Sequence, residues 1–290
     1  MFRRFVGVAL LSPALLATPA GAHFQSIYTP NYVIDLPGEI PLKLIFWHPF
    51  FVGPNVDMPL PERVYAISRF QEIDLMPSLR ETVFHGPQNP AVAYDVTLPV
   101  RQVGDYVVVV EGGLFYDETA GGYIQQFTKA VLNRGGFPTD WNIPVGLPTE
   151  IIPLTKPYNV MAGSTFTGML TRDGEPLPFW EVEIVYLSAE PDMETNTVGE
   201  ETISPPPGGY LVVTTDPNGI FTVGIPRAGF WGFGALGSGP ETSVQAVMPT
   251  PVDQAPAAAL PFGLEAPAAI ETSTPLSQDA ILWIEAHDLE

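Results

Sequence analysis

The sequence predicts an all-β chain built as two β-sandwich domains, and three observations lead there. Glycine (27) and proline (33) recur throughout the 290 residues, too often for long helices. Between them lie short runs rich in β-branched and aromatic side chains, the residues that fit a pleated sheet. Helix caps followed by apolar stripes of 3.6-residue period are scarce. Short strands at this spacing favour antiparallel sandwiches over alternating strands and helices.

Met1-Phe2-Arg3-Arg4 is a basic start, Phe5 to Ala17 is apolar, and Thr18-Pro19-Ala20-Gly21-Ala22 ends in an A-x-A pattern. Residues 1–22 are therefore expected to be a secretory signal peptide, its apolar part shorter than the roughly 20 residues a bilayer span needs. No later stretch is long and apolar enough to be a span, so a periplasmic or otherwise exported chain without stable membrane insertion is expected.

Residues 23–153 are expected to form the first sandwich. Its strands include Pro41 to Trp47, Val64 to Ile67, Ala91 to Val96 and Tyr123 to Leu132, although the last also admits a helix. Asp105 to Glu111 is β-branched almost throughout and reads as a central strand, stopped by Gly112-Gly113. Proline at 138, 144, 148, 153 and 157 marks an extended connector, because proline cannot donate to a ladder. The second sandwich is expected over 154–237 and 279–290. Asp173-Gly174 and Asp216-Pro217-Asn218-Gly219 supply its turns, the latter feeding Ile220 to Ile225. Residues 238–278 are Pro/Ala-rich with scattered acids and are expected to be a disordered insertion. Ala280 to Ala286 then returns as a strand, with a surface helix the competing reading.

Acids outnumber Lys and Arg by 32 to 12, a formal charge of −20. Such a chain cannot neutralise phosphates, which excludes non-specific nucleic-acid binding, and it draws cations. The absence of cysteine excludes disulfides, thiolate metal sites and cysteine nucleophiles. No nucleophile elbow, zinc-protease motif or phosphate-binding loop is present, so an enzyme is not expected.

Cleavage after Ala22 leaves His23 first and, by removing Arg3 and Arg4, takes the charge to −22. A terminal amine and the Nδ1 of the same histidine can chelate one ion together, a donor set suited to nickel, cobalt, copper or zinc. His48 stands at a strand exit, where side chains can converge on an ion, although composition alone favours a histidine capping an aromatic cluster. Asp57 and Met58 follow as a carboxylate and a thioether, or as a solvated loop acid and a core-filling methionine. His85 is a further candidate ligand, or a residue of a surface turn. Gln25 alternates with His23 along a strand and shares its face, as a weak ligand or an orienting second-layer group.

Several segments carry a resemblance. His23-Phe24-Gln25, Leu42-Lys43-Leu44-Ile45-Phe46-Trp47-His48-Pro49-Phe50, Gly53-Pro54 with Asp57-Met58, and Gly104-Asp105-Tyr106-Val107 open it. Tyr123 to Lys129, Gly146 to Leu154, Asp216 to Phe221 and Pro226 to Phe233 follow in order. Together they resemble the exported proteins described as the periplasmic component of nickel/cobalt uptake systems of the ABC or energy-coupling-factor type. The second domain also resembles the prealbumin-like sandwiches appended to carboxypeptidases. The resemblance implies Ni²⁺ or Co²⁺ capture, with Cu²⁺ or Zn²⁺ as alternatives, and delivery to the membrane permease component of a metal transporter. It carries over most directly to His23 and His48. Two other readings stand beside it: a structural or interaction protein of the cell envelope, and a copper oxidase built on an N-terminal histidine.

Overall fold

A computed structural model describes residues 23–50, 53–207, 209–247 and 271–289. The expected signal peptide lies outside the described residues. The fold is all-β; the helical turn found among the described residues is the three-residue 3-10 segment Met76–Ser78. No described helix is long and apolar enough to cross a membrane.

Three sheets make the two sandwiches. The first runs in the order 24–28, 38–47, 90–100, 80–85, then two short strands at 197–198 and 191–192. Along the strand Pro90–Val100, Tyr94, Val96, Leu98 and Val100 alternate with half-buried residues and turn to one face, while Ala91 and Ala93 are buried on the other. The second sheet is long, ordered 211–214, 181–186, 229–235, 271–287, 122–134, 104–111, 63–68 and 71–74. Its member Gly104–Glu111 is buried on both faces up to its last residue, which explains the unbroken β-branched run. The third sheet holds 149–153, 164–172, 175–176 and 220–225. Phe166 on this sheet stacks on Phe233 of the long sheet at 4.7 Å, with Phe221 closing the cluster at 5.7 Å from Phe233. One continuous apolar core links all three sheets.

The long sheet is shared between the sandwiches through Glu271–His287. That strand runs parallel to Gly122–Arg134 (Tyr123 opposite Leu276) and antiparallel to Gly229–Ala235 (Trp231 opposite Ile284). A parallel pair needs a long crossover, and here the whole second sandwich supplies it.

Tyr123 to Leu132 is strand, as expected, and the helical alternative falls. Two expectations are corrected. Residues 149–153 do not close the first unit: they are fully buried and pair with 164–172 in the second sandwich. The stretch 238–278 is not a disordered insertion at its ends, because 242–247 and 271–276 pair with each other and 276–278 already pair with the 122–134 strand. Its centre, 248–270, lies outside the described residues.

Between the sandwiches, Gly135 and Gly136 both take positive φ (76° and 68°), turning the chain sharply after the 122–134 strand. The fully buried Asp105 carboxylate then holds the following loop, accepting hydrogen bonds from the Asn133 side-chain amide (2.6 Å) and from the backbone N–H groups of Thr139, Asp140 (2.8 Å) and Trp141 (3.0 Å).

Candidate functional site

The site begins at the first described residue. Strand Phe24–Tyr28 pairs antiparallel with Gly38–Trp47, Phe24 opposite Trp47 and Gln25 opposite Phe46. Continuing that register by one step sets His23 against His48. Their ring centroids are 4.0 Å apart and inclined at 41°. Strand alternation sorts the neighbours: Trp47 turns to the opposite face, where it meets Phe84 at 5.6 Å, while Phe46 stays with the histidines, 5.5 Å from the His23 ring. Phe115 completes an aromatic wall, 6.3 Å from His23 and 5.3 Å from Phe46.

The two imidazoles are unequally shielded from water, His23 being half-buried. His48 is 8% exposed. Burial lowers the pKa of His23 below its ordinary value of 6.5, opposed by the nearby Asp117 carboxylate. Desolvation favours the neutral ring, and a neutral ring keeps a lone pair available for a cation.

Two glutamines clamp the start of the strand. The Gln126 amide donates to the His23 carbonyl (2.7 Å) and accepts from the Gln25 N–H (2.7 Å). The Gln25 side-chain oxygen accepts from Thr128 Oγ1 (2.7 Å), and its carbonyl accepts from the Trp283 indole N–H (2.9 Å). With its side-chain oxygen so engaged, Gln25 orients the strand rather than ligating. Below lies a tight crevice lined by Gln25, Phe46, Met58, Phe115, Ile124 and Gln126 among others, so the buried Met58 thioether lies on the same side as the histidine pair.

Two expected ligands stand apart. Asp57 spends a carboxylate oxygen on the Val92 N–H (2.8 Å), tying the 55–58 segment to the 90–100 strand. His85 is exposed at the end of the 80–85 strand, which the 90–100 strand separates from the strand leading to His48. Its backbone N–H donates to the Asn196 carbonyl (2.8 Å). Among the described residues no group of three or more His, Asp or Glu is arranged to hold a metal. The donors that converge are therefore His23 and His48, with Met58 nearby. Two imidazoles and a thioether fit a borderline ion, and a terminal amine at His23 adds a further nitrogen.

Phe115, Asp117 and Gln126 were not singled out from the sequence. Gln125-Gln126 carried a usable signal, since two consecutive amides inside a strand that is otherwise buried need partners on both faces.

Residues 20–239 match the family described as "Domain of unknown function (DUF4198)". No curated protein matches the chain. Among solved structures, it is similar to dimeric latent PorU from Porphyromonas gingivalis (11% identity, TM-score 0.21), covering 92% of this chain and 20% of that one. It is also similar to the D0-D1 domain of intimin (12%, 71% and 86%, TM-score 0.18) and to a Salmonella alpha-2-macroglobulin mutant (9%, 90% and 15%, TM-score 0.23). The chain thus spans about one fifth of the PorU chain. Likenesses this weak carry no argument about function.

Proposed function

The chain belongs to the DUF4198 family, and from that premise we propose that it is an exported carrier capturing Ni²⁺ or Co²⁺ with His23 and His48, for delivery to a membrane uptake system. The observation that carries this reading is the histidine pair, with ring centroids 4.0 Å apart, His48 buried and His23 half-buried. Burial keeps His23 neutral, so coordination there does not have to displace a proton near pH 7. Signal-peptide removal after Ala22 turns the His23 backbone nitrogen into an amine, the one donor an internal residue lacks. Gln25 and Gln126 position the residue through its backbone, and the acidic surface raises the local cation concentration. Capture and release need no bond-making step, so the reading is of a carrier and not an enzyme.

The test is calorimetry with Ni²⁺ and Co²⁺ on three proteins: the chain beginning at His23, the same chain with one residue added ahead of it, and His48→Ala. The first should bind. The other two should each lose at least about tenfold in affinity, the scale on which lost donors and their supports act. Equal binding by all three refutes the site. Mass spectrometry of the secreted protein with its metal retained reads the first residue and the ion together.

A further inference from the structure

The second sandwich carries a separate, open cavity of about 300 Å³ lined by Phe179, Trp180, Glu181, Glu183 and Leu236. Its position follows from strand alternation. Along Glu181–Tyr186, Val182 and Ile184 are buried in the core, so Glu181 and Glu183 share the opposite face. Glu183 stands opposite Gly234, whose side-chain position is taken up by the Phe24 ring and the Ile281 side chain. One oxygen of Glu183 is buried without a hydrogen-bond partner. Phe179 is held in the left-handed region (φ 55°), unusual for an aromatic residue, with its side chain 70% exposed. This conformation is over-determined by Thr215, whose carbonyl accepts from the Phe179 N–H (3.1 Å) and whose hydroxyl accepts from the Trp180 N–H (2.9 Å). The Trp180 indole is fixed by its N–H to the Leu236 carbonyl (3.0 Å), and the Arg172 guanidinium already lies 5.0 Å from its ring centroid.

We propose that this cavity binds an organic cation, an alkylammonium or guanidinium head group seated against the Trp180 and Phe179 rings with its charge on Glu183 and Glu181. The chemistry is complementary on both counts. Aromatic faces attract a desolvated cation, and an unpartnered buried carboxylate oxygen is satisfied by an N–H donor. A bare metal ion suits the wall less well, and no metal-holding group forms among the described residues. The electrostatics agree: burial, then the charges of Asp279 and Glu181, push the Glu183 carboxyl up to about 7, and a cation placed there relieves that repulsion. Asp279 faces Glu183 from the 271–287 strand, and Arg172 is the nearest positive group against Trp180. The head group can arrive on a free polyamine or on a lysine side chain of another protein.

The test is calorimetry on the full chain with cadaverine, with the neutral isostere 1-pentanol, and with Nα-acetyl-lysine methylamide. Both amines should give saturable heats that pentanol does not. Glu183→Gln and, independently, the exposed Glu181→Gln should weaken amine binding by about tenfold or more, the effect of losing one charge-assisted contact. A blocked lysine binding at least as tightly as cadaverine assigns the site to polypeptide side chains; the reverse order assigns it to free polyamines. No saturable amine binding by the wild type, or wild-type affinity in both variants, overturns the proposal. His48→Ala should bind amines normally, so this test fails or succeeds independently of the metal reading.

Discussion

The strongest stability prediction concerns the ion pair where the two sandwiches meet. Lys129, on the 122–134 strand, and Glu150, on the 149–153 strand, are each 2% exposed and lie 2.5 Å apart. Burial lowers the Lys129 ammonium, opposed by Glu150. Burial pushes Glu150 up, yet the lysine and the N–H groups of Gly146 (2.9 Å) and Val145 (3.0 Å) outweigh it and hold the carboxyl below its ordinary value. Glu150→Gln leaves an ammonium buried without its counter-charge, a change that costs about 3–5 kcal/mol. Lys129→Met should cost less, because the two backbone donors still serve the carboxylate. The double variant should be more stable than the sum of the two losses implies, by on the order of 2 kcal/mol, since neither charge then remains. Urea unfolding followed by circular dichroism measures the cycle. At roughly 2–4 °C per kcal/mol, Glu150→Gln should also lower Tm by about 6–20 °C. A Glu150→Gln loss under about 1 kcal/mol, or strict additivity in the double variant, refutes the reasoning.

Three further outcomes follow from the geometry. Nickel affinity should fall on acidification across the range of an α-amino group, about 7.7–8.0, because burial holds His23 below 6.5 and already neutral there; calorimetry against pH that shows a fall only below about 6 removes the amine from the ligand set. Glu183 holds a proton in the folded chain up to about pH 7, above its ordinary 4.5, so its contribution to stability declines as pH rises through that window. The shift is worth about 3 kcal/mol unscreened and on the order of 1–2 once its partial exposure is allowed for; Glu183→Gln should flatten that part of the stability profile, and parallel profiles contradict this. A Cβ on Gly113 collides with the Leu60 carbonyl oxygen and approaches Pro59, so Gly113→Ala should destabilise by about 1–3 kcal/mol and disturb the wall that Pro59 shares with Met58; an unchanged melting temperature shows that the 59–60 segment yields freely.

Local pattern carried the strands and missed how they pair. The 104–111 strand announced its burial on both faces through four consecutive valines, and 220–225 announced its start through the Asp-Pro-Asn-Gly turn, where Asp216 Oδ1 accepts from the Asn218 and Ile220 N–H groups (2.8 and 2.9 Å). The meeting of His23 and His48 was half legible: alternation put Gln25 on the face of His23, but the antiparallel register bringing His48 there is a long-range fact. Glu150 lies between Pro148 and Pro153 with nothing local to mark it as buried, and it is the third sheet that sets it against Lys129. Asp57 shows the limit of residue type. A carboxylate is equally good at ligating a metal and at holding a strand N–H, and one Asp57 oxygen takes the Val92 amide.

The 271–287 strand is what joins the two candidate sites. Asp279 on it is buried and accepts from the Gly237 N–H (2.8 Å), Ser277 Oγ (3.0 Å) and the Gln126 amide (3.3 Å). That same Gln126 amide nitrogen donates to the His23 carbonyl, while on the other side Asp279 is the charge that most raises Glu183 after burial. Asp279→Asn should therefore act in both directions at once. Removing a like charge should lower the Glu183 titration, and replacing a carboxylate acceptor by an amide should loosen Gln126 and with it the His23 backbone. NMR of the Glu183 carboxyl and of the His23 ring reads both ends. If Glu183 shifts while His23 stays unchanged, the strand supports the two sites side by side without coupling them; shifts at both ends mark one polar chain running from the cavity to the histidine pair.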